Sequence, residues 1–187
     1  MAADPQDPVV ALPPCITTRP RRVRWWQAPF SVETWRRTLY ALVALPVDLI
    51  ALPLAIVGRS LAVSGYQHRL ACRLLALRVG ERPVRAVDAQ VIGHTLLSLP
   101  LDAVAFALVA YLWTQGTLGN LAYPLELALL GERLNPVPDG TWGGPSLAGA
   151  WAVHAAAGVV ILFVAPWLIK GITQAQGWLL QHPIGTR

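Results

Sequence analysis

Charge is what this sequence has least of. Charged residues are 13 % of its 187 residues and hydrophobic ones 55 %, where a soluble domain carries roughly 25 % charged. Mean hydropathy is +0.48. Once the apolar runs are set aside, too little chain remains for a separate soluble domain with its own core. Lysine is nearly absent: Lys170 stands alone beside fourteen arginines. With so much Ala, Pro and Gly, this usage suits a GC-rich bacterial genome. There are two cysteines, Cys15 and Cys72, and they match no metal or redox spacing. The expectation is unpaired thiols in a reducing compartment and no metal site. The net charge of +5 does not imply nucleic acid, because anionic lipid headgroups attract the same charge.

What is present is long apolar sequence. Residues 147–169 read LAGAWAVHAAAGVVILFVAPWLI, with His154 the one ionisable group. At about 1.5 Å per residue such a helix crosses a hydrocarbon core of about 30 Å. Residues 94–113 form a second span, with Asp102 near its middle and Tyr111 and Trp113 at one end. A first apolar segment, 39–63, carries Pro46, Asp48, Pro53 and Arg59. The fold class is therefore all-α: an integral membrane protein with two firm spans and a short first segment that is either a re-entrant hairpin or a third span.

The remaining segments are arranged around these spans. Residues 1–34 are a basic, Pro-rich tail without apolar periodicity, expected to be disordered. Arg19, Arg21, Arg22 and Arg24 precede Trp25 and Trp26, a pattern that suits an anionic membrane surface or serves simply as a topology signal. Residues 66–79 (YQHRLACRLLALRV) read as an amphipathic helix with Arg69 and Arg73 off its leucine face. It either lies on the membrane surface or packs on neighbouring segments. Residues 114–146 form an outer loop, and 171–182 a short amphipathic C-terminal stretch.

One pattern repeats. Leu42-Val-Ala-Leu-Pro46-Val-Asp48 matches Leu96-Leu-Ser-Leu-Pro100-Leu-Asp102, and each LxxLPxD copy is later followed by a Leu-rich amphipathic segment. This predicts a duplicated unit and a pseudo-symmetric bundle. The first copy holds apolar residues for only one crossing. Positive-inside counting arbitrates: three crossings split the basic residues eight to seven, whereas a hairpin in 39–63 leaves fourteen on one side and one on the other. The count favours a hairpin bent at Pro46 to Pro53 and both termini in the cytoplasm.

Four stretches carry a family resemblance. APF-S-x-x-TWRRTLYAL-x-ALP at 28–46, YPL at 123–125, WGGPSLAGAWAVH at 142–154 and APWLIKGI at 165–172 resemble the membrane-embedded sensor domain found at the N-terminus of many bacterial histidine kinases. The resemblance implies a four-helix module of two helix pairs in the bacterial cytoplasmic membrane, usually followed by dimerisation, phosphoacceptor and ATP-binding domains. This chain departs from the pattern twice: its first half is short, and it ends at Arg187 before any kinase domain. His68, His94, His154 and His182 have no phosphoacceptor context, and no Gly-rich loop follows a strand. The expectation is a stand-alone sensor-like module without catalysis or cofactor, signalling in trans to a histidine kinase or transcriptional regulator, with a homo-oligomer also open. The alternatives are a structural or accessory membrane subunit and, third, a small transporter or membrane enzyme.

Within the membrane, Asp48, Asp102 and His154 require explanation, because an ionisable group there is costly unless paired or hydrated. They form either a buried cluster responsive to protonation or a polar ligand, or a packing pair across helices. Antiparallel spans would bring Asp102 to the level of His154. Trp142, Gly143, Gly144 and Pro145 form either a ligand-facing outer turn or a turn that starts the last helix. Gly149, Ala150, Ala156, Ala157 and Gly158 are small enough to let helices approach closely.

Overall fold

The computed structural model describes residues 10–11, 23–75, 83–84, 88–130, 143 and 146–181. Apart from a two-residue antiparallel pairing of Val10–Ala11 with Pro83–Val84, the described elements are helical. Three helical stretches are long and apolar enough to cross a membrane: Val32–Ile56, Ile92–Gly119 and Leu147–Gln181. A third or less of each apolar window is buried inside the protein. Leu49, Ile50, Val104, Phe106, Val160 and Val164 all face outward. Such a surface is a liability in water and the natural boundary of a bundle in lipid. The chain is a multi-pass, all-α membrane protein by this measure.

Helix α1 (Val32–Ile56) starts where the sequence provides a cap. Ser31 accepts a hydrogen bond from the Thr34 amide at 3.2 Å, and Glu33 sits in the first turn, satisfying one free amide and meeting the positive helix end. A six-residue 3-10 turn, Trp25–Phe30, precedes it. Thr34 Oγ1 donates back to the Ala28 carbonyl at 2.7 Å, tying the turn to the helix.

The hairpin expected at Pro46 to Pro53 does not form, since α1 is one continuous helix through both prolines. Proline removes one backbone hydrogen bond and bends a helix. Opening the helix inside lipid would strand several polar backbone groups, so the lesser cost is to continue. The chain instead reverses a few residues later. Gly58, at φ +82°, lies between Val57, whose amide donates to the Pro53 carbonyl, and helix α2 (Ser60–Leu75). A positive φ favours glycine.

Helix α2 packs back along α1 in the antiparallel sense. Val63 meets Ala51 and Ala55, and Ala71 and Leu75 meet Tyr40 and Ala44. Its apolar face is used for protein packing. Helix α3 (Asp88–Tyr111) continues into a π-helical stretch, Leu112–Gly119, and is antiparallel to α1. Ile92 lies against Ala51, Ala55 and Val63 at one end, while Trp113 donates to Thr38 Oγ1 at 3.2 Å and stacks on Trp35 at the other. A short helix α4 (Tyr123–Leu130) follows. Helix α5 (Leu147–Gln181) is a single 35-residue helix, so residues 171–181 extend it directly. Ala41, Ala105 and Ala165, all fully buried, line the crossing of α1, α3 and α5 beside Val109 and Ile169. Small side chains there permit close backbone approach.

Candidate functional site

The two LxxLPxD copies lie on α1 and α3. Because these helices are antiparallel, the copies face one another across their crossing. Asp48 and Asp102 are 5 % and 4 % exposed and lie, with Ser98, on the walls of one small cavity. Gln67 from α2 donates through Nε2 to Asp48 Oδ1 at 2.8 Å. Gln176 from α5 donates through Nε2 to Asp102 Oδ1 at 2.5 Å. Ser98 donates its hydroxyl to Asp48 Oδ2.

These side chains line a cavity of about 20 Å³, close to the space one water needs. Its walls obey the repeat. Tyr40 and His94, Ala44 and Ser98, Val47 and Leu101, and Asp48 and Asp102 line it in pairs, each separated by 54 positions. Gln67 and Gln176 form a further pair. Two structural halves of opposite direction thus meet at a polar centre, the arrangement by which inverted repeats build midplane sites. Two polar atoms on its walls are buried without a partner, His94 Nε2 and Gln176 Oε1.

Of the residues singled out by sequence, Asp48 and Asp102 come together and His154 does not. His154 stacks on Tyr123 at 4.1 Å between ring centres and hydrogen-bonds through Nδ1 to the Ala150 carbonyl at 2.8 Å. It lies 22 residues before Gln176 on the same helix, roughly 33 Å along the axis. The expected Asp102–His154 pair is therefore not made. The offset of α5 brings Gln176, and not His154, to Asp102.

Gly143 has φ +107°, and its carbonyl packs so closely on Gly149 that a side chain at either position would clash. This serves the turn that starts α5. Trp142, Gly144 and Pro145 lie outside the described residues, as do Arg19, Arg21 and Arg22. Arg24 is exposed, its guanidinium carbon 5.1 Å from the Trp26 ring centre. Arg69 and Arg73 are exposed on α2. Gly158 lets the residues just after the π-helical stretch approach closely: a Cβ there would lie 3.0 Å from Leu121 Cγ and 3.1 Å from Asn120 Cβ. Cys72 is not a free thiol but disulfide-bonded, against the expectation of unpaired cysteines. Cys15 lies outside the described residues.

Gln67, Ser98, Gln176 and Tyr40 were not singled out by sequence. Ser98 and Tyr40 could have been found by extending the repeat register, since Tyr40 pairs with His94 and Ala44 with Ser98. The glutamines each stand three residues before a leucine of the amphipathic segment, at Gln67–Leu70 and Gln176–Leu179.

Comparison with family models, with curated proteins and with solved structures finds no match.

Proposed function

We propose that this chain is a sensor-like membrane module that passes a membrane or envelope signal to a separate kinase or regulator and catalyses no reaction itself. The observation that carries this reading is the small polar centre between two inverted repeats. A transport pathway needs a continuous polar lining, whereas here the polar groups converge on space for about one water. A hydrolytic site needs a nucleophile held by a base and an oxyanion-binding group, whereas Asp48 and Asp102 face amides and line one cavity. A charge-sensitive contact between two helix pairs suits a two-state input. The resemblance of residues 28–46, 123–125, 142–154 and 165–172 to the sensor domain of bacterial histidine kinases supports the same reading and a bacterial cytoplasmic membrane.

The test is to crosslink the tagged protein in its native membrane and identify what co-purifies. A histidine kinase or transcriptional regulator is expected, and its recovery should fall when the exposed charges of α2 are removed by Arg69→Ala and Arg73→Ala. Recovery only of a transport or assembly complex overturns the sensor reading in favour of an accessory subunit. The outward apolar residues Leu49, Ile50 and Leu54 on α1 would then be the first contact surface to map.

A further inference from the structure

We infer that the Asp48–Asp102 pair is a proton-binding site, in which one exchangeable proton and one water are held at the contact between the inverted repeats. As a sensing device the site rests on the sensor-like reading; as a proton site it does not.

Hydrogen-bond accounting comes first. An ionised carboxylate only accepts, so two carboxyl groups can bond to each other only with a proton between them. The neighbours add donors but no charge. From α1 the facing titratable group is Tyr40, from α3 it is His94, and α2 and α5 contribute the amides Gln67 and Gln176. No lysine or arginine lines the cavity among the described residues. Arg37 on α1 is engaged elsewhere, with Glu33 at 2.9 Å and Thr173 at 3.1 Å. Two ionised carboxylates lining one small cavity without a counter-cation would repel across a buried helix crossing. A shared proton removes that repulsion with the atoms present.

The donor set also distinguishes a proton from a metal ion. Both glutamines turn Nε2 toward the carboxylates, and Ser98 donates rather than accepts. A hard cation needs oxygen acceptors around it. No cluster of three His, Cys, Asp or Glu side chains suited to a metal occurs among the described residues. The cavity has room for about one water. Gln176 is 3 % exposed and its Oε1 needs a donor, while His94 Nε2 is buried without a partner. One water can serve both. In the binding step a proton from the aqueous phase forms an O–H bond to one carboxylate oxygen, and the negative charge of the pair falls by one unit. Its loss returns that charge to the α1–α3 contact.

The test is infrared difference spectroscopy of the full chain in lipid nanodiscs between acidic and alkaline buffer. A protonated-carboxyl C=O band is expected that shifts in D₂O, disappears in alkaline buffer and is absent from both Asp48→Asn and Asp102→Asn, whose amide supplies the missing hydrogen. Sodium in place of potassium is expected to leave it unchanged. Absence of the band in the unsubstituted protein, its survival in both Asn variants, or its loss on adding sodium at constant pH each overturns the inference, the last in favour of an alkali cation. If the Asn variants fail to assemble, Ser98→Ala keeps both carboxyls and removes one donor. A shifted band then supports the site, and an unmoved band overturns it. Because no partner protein is present, the outcome is independent of the crosslinking result.

Discussion

Gln67 and Gln176 are equivalent in the fold although 109 positions apart: each donates through Nε2 to the aspartate of its own repeat, Gln67 to Asp48 and Gln176 to Asp102. Gln176 is the more deeply buried of the two. Replacing it with Ala leaves the Asp102 oxygen without its donor at a buried position. The expected loss is about 1–3 kcal/mol, measured as thermal unfolding in nanodiscs. Gln67→Ala, at a half-buried position, is expected to cost less.

Asp48 and Asp102 share one network, so their substitutions should not add. The double variant Asp48→Asn/Asp102→Asn is expected to depart from the sum of the single effects by roughly 0.5–3 kcal/mol. Asp102→Asn combined with His154→Ala should be additive, since His154 is stacked on Tyr123 instead. Coupling between Asp102 and His154 would contradict the placement of α5.

Gly58 has open space around its missing side chain but a φ of +82°, so its requirement is conformational. Gly58→Val should loosen the α1–α2 reversal at a cost of about 1–2 kcal/mol, seen as faster protease cleavage near residues 57–60.

Gly158 presents the opposite case, with ordinary helical backbone and no room. Gly158→Leu should push α5 away from Asn120 and Leu121 and cost about 1–3 kcal/mol. The readout is lower thermal stability, together with a change in Trp151 fluorescence, because the Trp151 indole donates to the Leu121 carbonyl at 3.2 Å.

The long apolar windows were legible because hydropathy and length are additive along a chain and need no partner. The Asp48 and Asp102 positions were legible because a carboxylate inside such a window is conspicuous and the LPxD motif repeats. Proline misled the reading of 39–63: its local cost is visible in sequence, while the larger cost of opening a helix in lipid depends on surroundings. Gly58-Arg-Ser carried the actual turn signal and drew less weight than two prolines. The partner of Asp102 was not legible because helix offset decides it. Residues 171–182 read as a separate surface stretch, whereas 171–181 extend α5 far enough for Gln176 to reach the site. The basic-residue count was tied to a bend at Pro46 to Pro53, whereas the chain reverses at Gly58.

The repeat is imperfect at one wall of the cavity, where Ser98 on α3 stands opposite Ala44 on α1. A perfectly duplicated centre would hold its two carboxyls in identical surroundings, and a proton between them would have no preferred resting place. One hydroxyl, donated to Asp48 and matched by a methyl group at Ala44, gives the centre a polarity. The halves of a duplicated protein thus take unequal parts at the contact they share.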